Sequence, residues 1–211
     1  MTVTIFGATG TVGKELVRQC QAYGYRIKAF GRNTDKLIDE DLRDENFEAI
    51  RGSVFNEEDI LKAVTGSDAV LTALGGAMDG EDVTRSLGIK NIVSQMTKAG
   101  VPRIIAVGGE GCLDAPEGGL IMESPTFPLE YVPVSQEHMK AYAHLAASSL
   151  TWTFVCPPQI LDKTAEDSYT TRKDKPGGGP AINAGNLAVF MVSELSKNEY
   201  VNSRVGISNN F

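Results

Sequence analysis

Residues 2–13, with the sequence TVTIFGATGTVG, decide the fold of this chain. The first five of them, β-branched and apolar, predict a short strand, and the residues that follow the stretch have the apolar spacing of a helix. Between the strand and the helix, Gly7, Gly10 and Gly13 form a GxxGxxG turn. In such a unit the first glycine permits the tight turn, the second lets the backbone approach a pyrophosphate, and the third lets the helix pack on the strand. The turn therefore predicts a dinucleotide site at a helix N-terminus.

The rest of the chain alternates strand-like and helix-like segments. Further strands are predicted at residues 25–30, 47–51, 68–74, 103–107, 152–156 and 203–207. Helices are predicted at residues 14–23, 57–65, 83–99, 135–149 and 187–196. Connections of this kind imply right-handed βαβ crossovers and a mainly parallel sheet. We therefore predict an α/β fold, a Rossmann-like doubly wound sheet with helices on both faces, in a single domain over residues 1–211.

Composition excludes several classes of protein. The chain of 211 residues has 27 acidic and 20 Lys and Arg side chains, a net charge of −7, so we expect no nucleic-acid partner. An apolar run of about 18 residues and a signal-peptide pattern are both missing, which predicts no membrane association. The three cysteines are scattered and form no metal-binding pattern. We expect a cytoplasmic protein without a metal site.

The end of the second predicted strand indicates which dinucleotide is bound. An NAD site usually has Asp or Glu there, which accepts a hydrogen bond from the ribose 2′-hydroxyl. This chain has Arg32 in that region, and an arginine cannot accept that bond. Its guanidinium can instead bind a 2′-phosphate with two hydrogen bonds and stack on adenine. Lys36 lies one helical turn later and adds charge. These residues predict NADP(H).

Two long segments rich in glycine and proline follow later strands, at residues 110–134 and 157–182. Segments of this length in a compact domain often carry a site. They also follow strands at the carboxyl edge, where open α/β sheets bind ligands. We expect a small substrate region built from these two loops on top of the cofactor domain.

Four segments resemble one group of atypical short-chain dehydrogenases/reductases. They are AVLTALGG at 69–76, KNIVSQM at 90–96, IIAVGG at 104–109 and LTWTFVCPP at 150–158. Together with the glycine turn, they are similar to the NAD(P)H-binding family of biliverdin-IXβ reductase, also called flavin reductase. The resemblance to nitrogen-metabolite-repression regulators and to isoflavone-reductase-like proteins is looser.

The resemblance implies a cofactor path along the carboxyl ends of the strands. The positions that it assigns are Gly7, Thr9, Gly10, Thr11 and Val12 at the pyrophosphate, Arg32 and Lys36 at the 2′-phosphate, Ser53 and Val54 at the adenine, Leu74, Gly75 and Gly76 at the ribose, Gly108 and Gly109 at the nicotinamide ribose, and Pro157, Gln159 and Ile160 at the nicotinamide.

The helix predicted at residues 135–149 lacks the catalytic pair of the wider superfamily. Tyr131 is followed four residues later by Ser135 and Tyr142 by Ala146, so neither begins a Tyr-x-x-x-Lys, and Gly108-Gly109-Glu110 stands where the flavin-reductase group commonly has a serine. His138 matches a histidine that lies near substrate in that group. Since His138 and Tyr142 are four residues apart on a predicted helix, they share one face. We predict that both reach the nicotinamide end, His138 as proton donor or substrate contact. Glu110 is either a ligand contact or a solvated loop carboxylate.

The predicted function is an NADPH-dependent reductase. It would transfer hydride to a planar conjugated acceptor such as a flavin, a quinone or a tetrapyrrole-like molecule, with FMN or FAD as substrate rather than as a bound group. Positioning is the main contribution expected of the protein, and the proton would come from solvent or from His138. The alternative is a non-catalytic NADP(H)-sensing regulator. We expect a monomer or a weak homodimer.

Overall fold

The computed structural model describes residues 1–34, 45–166 and 168–210. Its strands are Thr2–Phe6 (β1), Arg26–Gly31 (β2), Phe47–Arg51 (β3), Ala69–Thr72 (β4), Arg103–Val107 (β5), Thr151–Cys156 (β6), Gln159–Leu161 (β7), Tyr169–Lys173 (β8), Ala181–Asn183 (β9) and Ser203–Asn209 (β10). Its α-helices are Thr11–Ala22 (α1), Glu57–Val64 (α2), Thr84–Ala99 (α3), Val132–Ala146 (α4) and Ala184–Lys197 (α5).

Eight strands form one sheet in the order β3-β2-β1-β4-β5-β6-β10-β8. Neighbouring strands are parallel except at the edge, where β8 pairs antiparallel with β10. The chain runs outward from β1 in one direction to β3 and in the other from β4 onward. The carboxyl ends of β1 and β4 therefore flank a crevice at the point where the strand order reverses. The predicted Rossmann-like, doubly wound fold is confirmed.

Alternating strand residues supply two separate cores, one on each face of the sheet. On β1, Ile5 packs in the core under α1 and α5, whereas Phe6 packs in the core under α2, α3 and α4. The ring of Phe6 contacts that of Phe30 on β2, with 4.8 Å between ring centroids. Because parallel strands are covered on both faces, they carry nearly continuous apolar sequence. This burial fixes the strand ends against which the site is built.

The glycine turn after β1 brings backbone segments closer than any side chain would allow. A Cβ on Gly7, whose φ is +78°, would lie 2.3 Å from the carbonyl oxygen of Ala73. A Cβ on Gly13 would lie 2.1 Å from the carbonyl oxygen of Gly7. The first contact ties the turn to the end of β4, and the second packs the start of α1 onto the turn. Both glycines are therefore required by the protein itself.

Several predicted boundaries were wrong. The fourth helix begins at Val132 and not at residue 135, because Pro133 fits the first helical turn, where its missing N–H is not needed. Residues 157–182 are not a plain loop, since they contain β7, β8 and β9. The edge strand β8 has the sequence YTTRK, half-exposed and polar, which gives little apolar alternation to predict it from.

Two features are missing from the part of the chain that the structure describes. Within residues 1–34, 45–166 and 168–210, no helix has both the length and the apolar character needed to cross a bilayer. In the same ranges, no three His, Cys, Asp or Glu side chains are grouped in a way that would hold a metal ion. All three cysteines are buried and free of disulfides.

Candidate functional site

A cleft of about 280 Å³ opens at the carboxyl edge of the sheet, beyond the ends of β1 and β4. The loops that follow β1, β2, β3 and β4 form its walls. Its lining consists of Gly7, Thr9, Gly10, Phe30, Gly31, Arg32, Gly52, Ser53, Val54, Phe55, Ala73, Leu74, Gly75, Gly76 and Thr84. The cleft thus lies at the position in which open α/β sheets bind their ligands.

The first wall is the N-terminus of α1. Gly10 is the N-cap residue, no side chain caps the helix, and its first turn has no acidic residue. The first N–H groups of α1 are therefore open to an anion, which the helix dipole also favours. A Cβ on Gly10 would meet only the carbonyl oxygen of Gly7, at an ordinary 3.5 Å. The protein alone does not require glycine at this position, and the free space fits the prediction that Gly10 lets a ligand approach closely.

The second wall follows β2 and β3. Gly31 lies against Thr9, since a Cβ there would be 3.3 Å from the Thr9 methyl carbon. Arg32 comes next, exposed at the rim. Within the described ranges, neither the hydrogen bonds nor the ion pairs include its guanidinium. On the β3 side, the N–H of Ser53 donates to the Asp59 carboxylate at 3.0 Å. Lys36, predicted to add a second positive charge, lies outside the described residues.

The third wall, after β4, is held from behind by two charged side chains. Arg85 on α3 donates to the carbonyl oxygens of Gly76 and Ala77, both at 2.9 Å. Asp82 accepts from the N–H of Ala77 at 2.9 Å and from that of Thr84 at 2.8 Å. Hydrogen bonds from Thr84 are the main reason that the pKa of Asp82 lies below its usual value. Arg85 and Asp82 therefore fix the shape of this wall.

Beyond the cleft, the ends of β5 and β6 come together. A Cβ on Gly108 would lie 2.4 Å from the Phe154 ring, so the Gly108 backbone packs directly against that ring. The N–H of Glu110 donates to the carbonyl oxygen of Pro157 at 2.9 Å. Gln159 and Ile160 then begin β7, which pairs with β9. The four residues Gly108, Gly109, Pro157 and Gln159, all predicted for the nicotinamide end, thus lie along adjoining strand ends without lining the cleft itself.

His138 on α4 faces this second group. A Cβ on Gly109 would lie 3.1 Å from its imidazole carbon Cδ2. The Nδ1 atom is buried and has no hydrogen-bond partner in the described part of the chain. Burial, reinforced by the positive charge of Arg85, lowers the pKa of His138 to about 3 although Glu137 opposes the shift. A neutral imidazole can donate one hydrogen bond but has no second ring proton to release. The neutral state of His138 therefore favours a role as substrate contact over that of an acid. Either role stays a prediction.

Tyr142 has a packing function. Its ring lies 5.6 Å from that of Trp152, edge to face, and 5.8 Å from that of Phe154. The Arg204 guanidinium lies over the ring at 5.6 Å. Arg204 also donates to the Cys112 carbonyl oxygen and pairs with Asp114 and Asp174. Tyr142 therefore helps to hold an arginine that joins both predicted substrate loops. Its catalytic role stays a prediction.

Sequence reasoning found part of the cleft and missed another part. The predicted residues that line it are Gly7, Thr9, Gly10, Arg32, Ser53, Val54, Leu74, Gly75 and Gly76. The lining residues that were missed are Phe30, Gly31, Gly52, Phe55, Ala73 and Thr84. Gly31 ends β2, while Gly52 and Ala73 follow β3 and β4, and this position at strand ends was the available signal. Thr11 and Val12 lie in the first turn of α1, where Val12 points into the core and offers only its N–H.

A protein-family comparison shows to which family this chain belongs. The family model described as NAD(P)H-binding matches residues 7–198, nearly the whole chain. The chain belongs to this NAD(P)H-binding family. The resemblance read from the sequence is thereby confirmed, and the role of each residue of the glycine turn stays a prediction. The cleft contains the glycine turn and lies at the switch point of the sheet, where open α/β sheets bind their ligands.

Individual relatives share this architecture over their full length. The uncharacterized protein YwnB of Bacillus subtilis (strain 168) is 28% identical over 213 residues, which is 97% of this chain and 96% of YwnB. A solved structure described as a candidate NADH-flavin reductase of Streptococcus pneumoniae has a TM-score of 0.83 at 23% identity and covers 100% of both chains. A short-chain dehydrogenase/reductase of Veillonella parvula, in complex with NADP, has a TM-score of 0.79 at 20% identity over 99% of this chain and 94% of that one.

Gly10 and Gly13 should respond differently to the same added methyl group. We expect Gly10→Ala to unfold within about 1 kcal/mol of the parent, because only an N-cap preference changes, and to bind NADPH at least tenfold more weakly, because the methyl group occupies the phosphate position. Gly13→Ala should lose about 3 kcal/mol or more of stability, because the methyl group meets backbone. Thermal unfolding and calorimetric NADPH titration measure both effects. Unchanged NADPH affinity in Gly10→Ala would contradict the assignment of the turn.

Proposed function

We propose that this protein is an NADPH-dependent reductase that transfers hydride to a planar conjugated acceptor. The observation that carries the proposal is the cleft, in which an uncapped helix N-terminus and Arg32 are the groups suited to anions. The names of two structural neighbours, an NADH-flavin reductase candidate and an NADP complex, support the cofactor and the reaction class.

The preference for NADPH over NADH follows from the charges around the cleft. Its lining includes the guanidinium of Arg32 and no carboxylate among the described residues. A carboxylate would be needed to accept a hydrogen bond from the ribose 2′-hydroxyl of NADH. A guanidinium suits the additional phosphate of NADPH, which it can bind with two charge-assisted hydrogen bonds.

The residues present fit the cofactor along one path. Gly10 and the first turn of α1 would hold the pyrophosphate, Arg32 the 2′-phosphate, and Ser53 with Val54 the adenine. Gly75 would lie against the ribose, and it is open, since nothing lies within 4 Å of a Cβ placed there. The nicotinamide, when bound, supplies the hydride. The chain itself would position it toward Gly109 and His138 and exclude water.

The acceptor is proposed to be planar and partly apolar because of the surface near this end. The loop between β4 and α3 meets the start of α4, since a Cβ on Gly80 would lie 2.9 Å from Pro133. The exposed large apolar side chains of these two segments are Met78, Val83, Leu129 and Tyr131. Flat conjugated molecules such as flavins and quinones match an open apolar rim beside a cofactor.

Replacing Arg32 should change cofactor choice. We expect Arg32→Asp to weaken NADPH binding by about tenfold to 100-fold, because a charge-assisted phosphate contact is lost and a repulsive one appears. NADH binding should change by less than about threefold. The matched control is Arg26→Asp, an exposed arginine at the other end of β2. Calorimetric titration of both cofactors checks this, and equal losses for NADPH and NADH would refute the assignment.

Turnover can be tested without further variants. We expect the protein to oxidise NADPH in the presence of FMN or a benzoquinone, followed by the absorbance of the reduced nicotinamide. An aldehyde or a simple ketone should not replace them. The sequence has a Tyr-x-x-x-Lys at Tyr169 and Lys173, but these residues lie on the edge strand β8, where residues four apart are ~13 Å from each other and cannot act as a pair. Tight NADPH binding without oxidation by any of these acceptors would overturn the reductase and support the NADP(H)-sensing alternative.

A further inference from the structure

Glu110 stands at the junction between cofactor path and substrate region. It directly follows Gly108-Gly109 at the carboxyl end of β5 and begins the short 3₁₀ helix Glu110–Cys112. Its N–H donates to the carbonyl oxygen of Pro157, so its backbone joins the ends of β5 and β6. The residue before it, Gly109, contacts His138. This is the end of the sheet at which the proposed function requires the acceptor to meet the nicotinamide.

The carboxyl group of Glu110 has no partner that the structure shows. Its side chain is half-buried, yet across residues 1–34, 45–166 and 168–210 no hydrogen bond or ion pair involves that carboxyl. The Glu110 oxygens are not among the fully buried atoms without a partner in the described residues, so solvent or a ligand can reach a carboxyl group whose charged form partial burial disfavours. Unpaired ionisable groups beside a cleft are typical of functional sites.

The surrounding charged and titratable groups are engaged elsewhere or neutral. Those nearby are His138 and Glu137 on α4, Glu123 and Asp114 in the loop, Arg204 on β10, and the thiols of Cys112 and Cys156. Glu137 binds Ser86 and Lys140, Glu123 binds the Leu120 N–H, and Arg204 pairs with Asp114 and Asp174.

Several of these groups are also uncharged. Burial keeps His138 neutral and raises the pKa of both thiols. Burial alone, with no neighbouring charge, raises the pKa of Glu110. A carboxyl group with a raised pKa keeps a protonated fraction closer to neutral pH, as a general acid must.

We propose that Glu110 is a catalytic residue, the acid that protonates the acceptor during its reduction. The proposal rests on the proposed reductase function. The acceptor receives a hydride, which is one proton together with two electrons, from the reduced nicotinamide. At its conjugated oxygen or nitrogen it receives the carboxyl proton of Glu110, whose O–H bond breaks. The products are the two-electron-reduced acceptor, the oxidised cofactor and the Glu110 carboxylate, which water reprotonates. Glu110 thus supplies the proton in a chain whose helix α4 has no Tyr-x-x-x-Lys.

The experiment compares the parent with Glu110→Gln, Glu110→Asp and the control Glu117→Gln, which changes an exposed glutamate of the same loop. In single turnovers with NADPH and a benzoquinone at pH 7, we expect Glu110→Gln to lower the reduction rate about 100-fold, within the usual range for a general acid. Glu110→Asp should recover part of it, Glu117→Gln should be unchanged, and NADPH affinity should be equal in all four. A Glu110→Gln rate within threefold of the parent would overturn the proposal.

A second readout needs neither cofactor nor turnover. Infrared difference spectra, parent minus Glu110→Gln, report the ionisation of this one carboxyl group, which we expect above the ordinary value of about 4.3. Partial burial disfavours the ionised form of Glu110 in the folded protein. The free energy of unfolding of Glu110→Gln should therefore exceed that of the parent above the raised pKa of Glu110, and the two should be equal below about pH 4. Titration at the ordinary value would overturn the proposal.

The outcomes separate the two claims. If the parent reduces the quinone and Glu110→Gln matches it, only the assignment of Glu110 is wrong. If the parent oxidises no NADPH with any acceptor, the reductase function is wrong and the assignment with it, whatever the infrared titration gives.

Discussion

The close approach of two backbone segments is the constraint on which the rest of the structure depends. The turn after β1 lies so near the end of β4 that Gly7 leaves no room for a Cβ, which would be 2.3 Å from the Ala73 carbonyl oxygen. The same turn receives the start of α1 on Gly13. This packing directs the helix N-terminus toward the switch point of the sheet and holds the crevice open. Gly10, between the two, is free of such crowding, which leaves space for a ligand.

The charged groups differ between the two ends of the predicted cofactor path. The uncapped N-terminus of α1 and Arg32 favour an anion. The acidic side chains nearby accept hydrogen bonds from the backbone instead: Asp59 from the Ser53 N–H, and Asp82 from the Ala77 N–H in the loop after β4. At the other end of the path, His138 is kept neutral by burial and Glu110 is left without a partner. One end of the predicted cofactor path thus has groups suited to phosphates, and the other has a neutral imidazole and an unpartnered carboxyl group.

The sequence predicted what depends on local pattern. The strand–turn–helix of residues 2–13 and the alternation of strands and helices were enough for the parallel strands, the helices on both faces and the glycine segments after β1 and β4. Contacts between distant segments could not be predicted. Arg85 holds the loop after β4 and Arg204 joins both substrate loops, yet each is an ordinary charged residue in its own segment. The β8 strand was missed because an exposed edge strand needs no apolar alternation.

The most direct test of the central claim is a map of NADPH on the protein by backbone amide NMR. On titration with NADPH, we predict that shift changes concentrate at residues 7–13, 31–32, 52–55 and 73–76, with smaller ones at 108–110. The structure has another, more open cleft near Arg172 and residues 177–180. Shift changes centred there, with the glycine turn unaffected, would contradict the account.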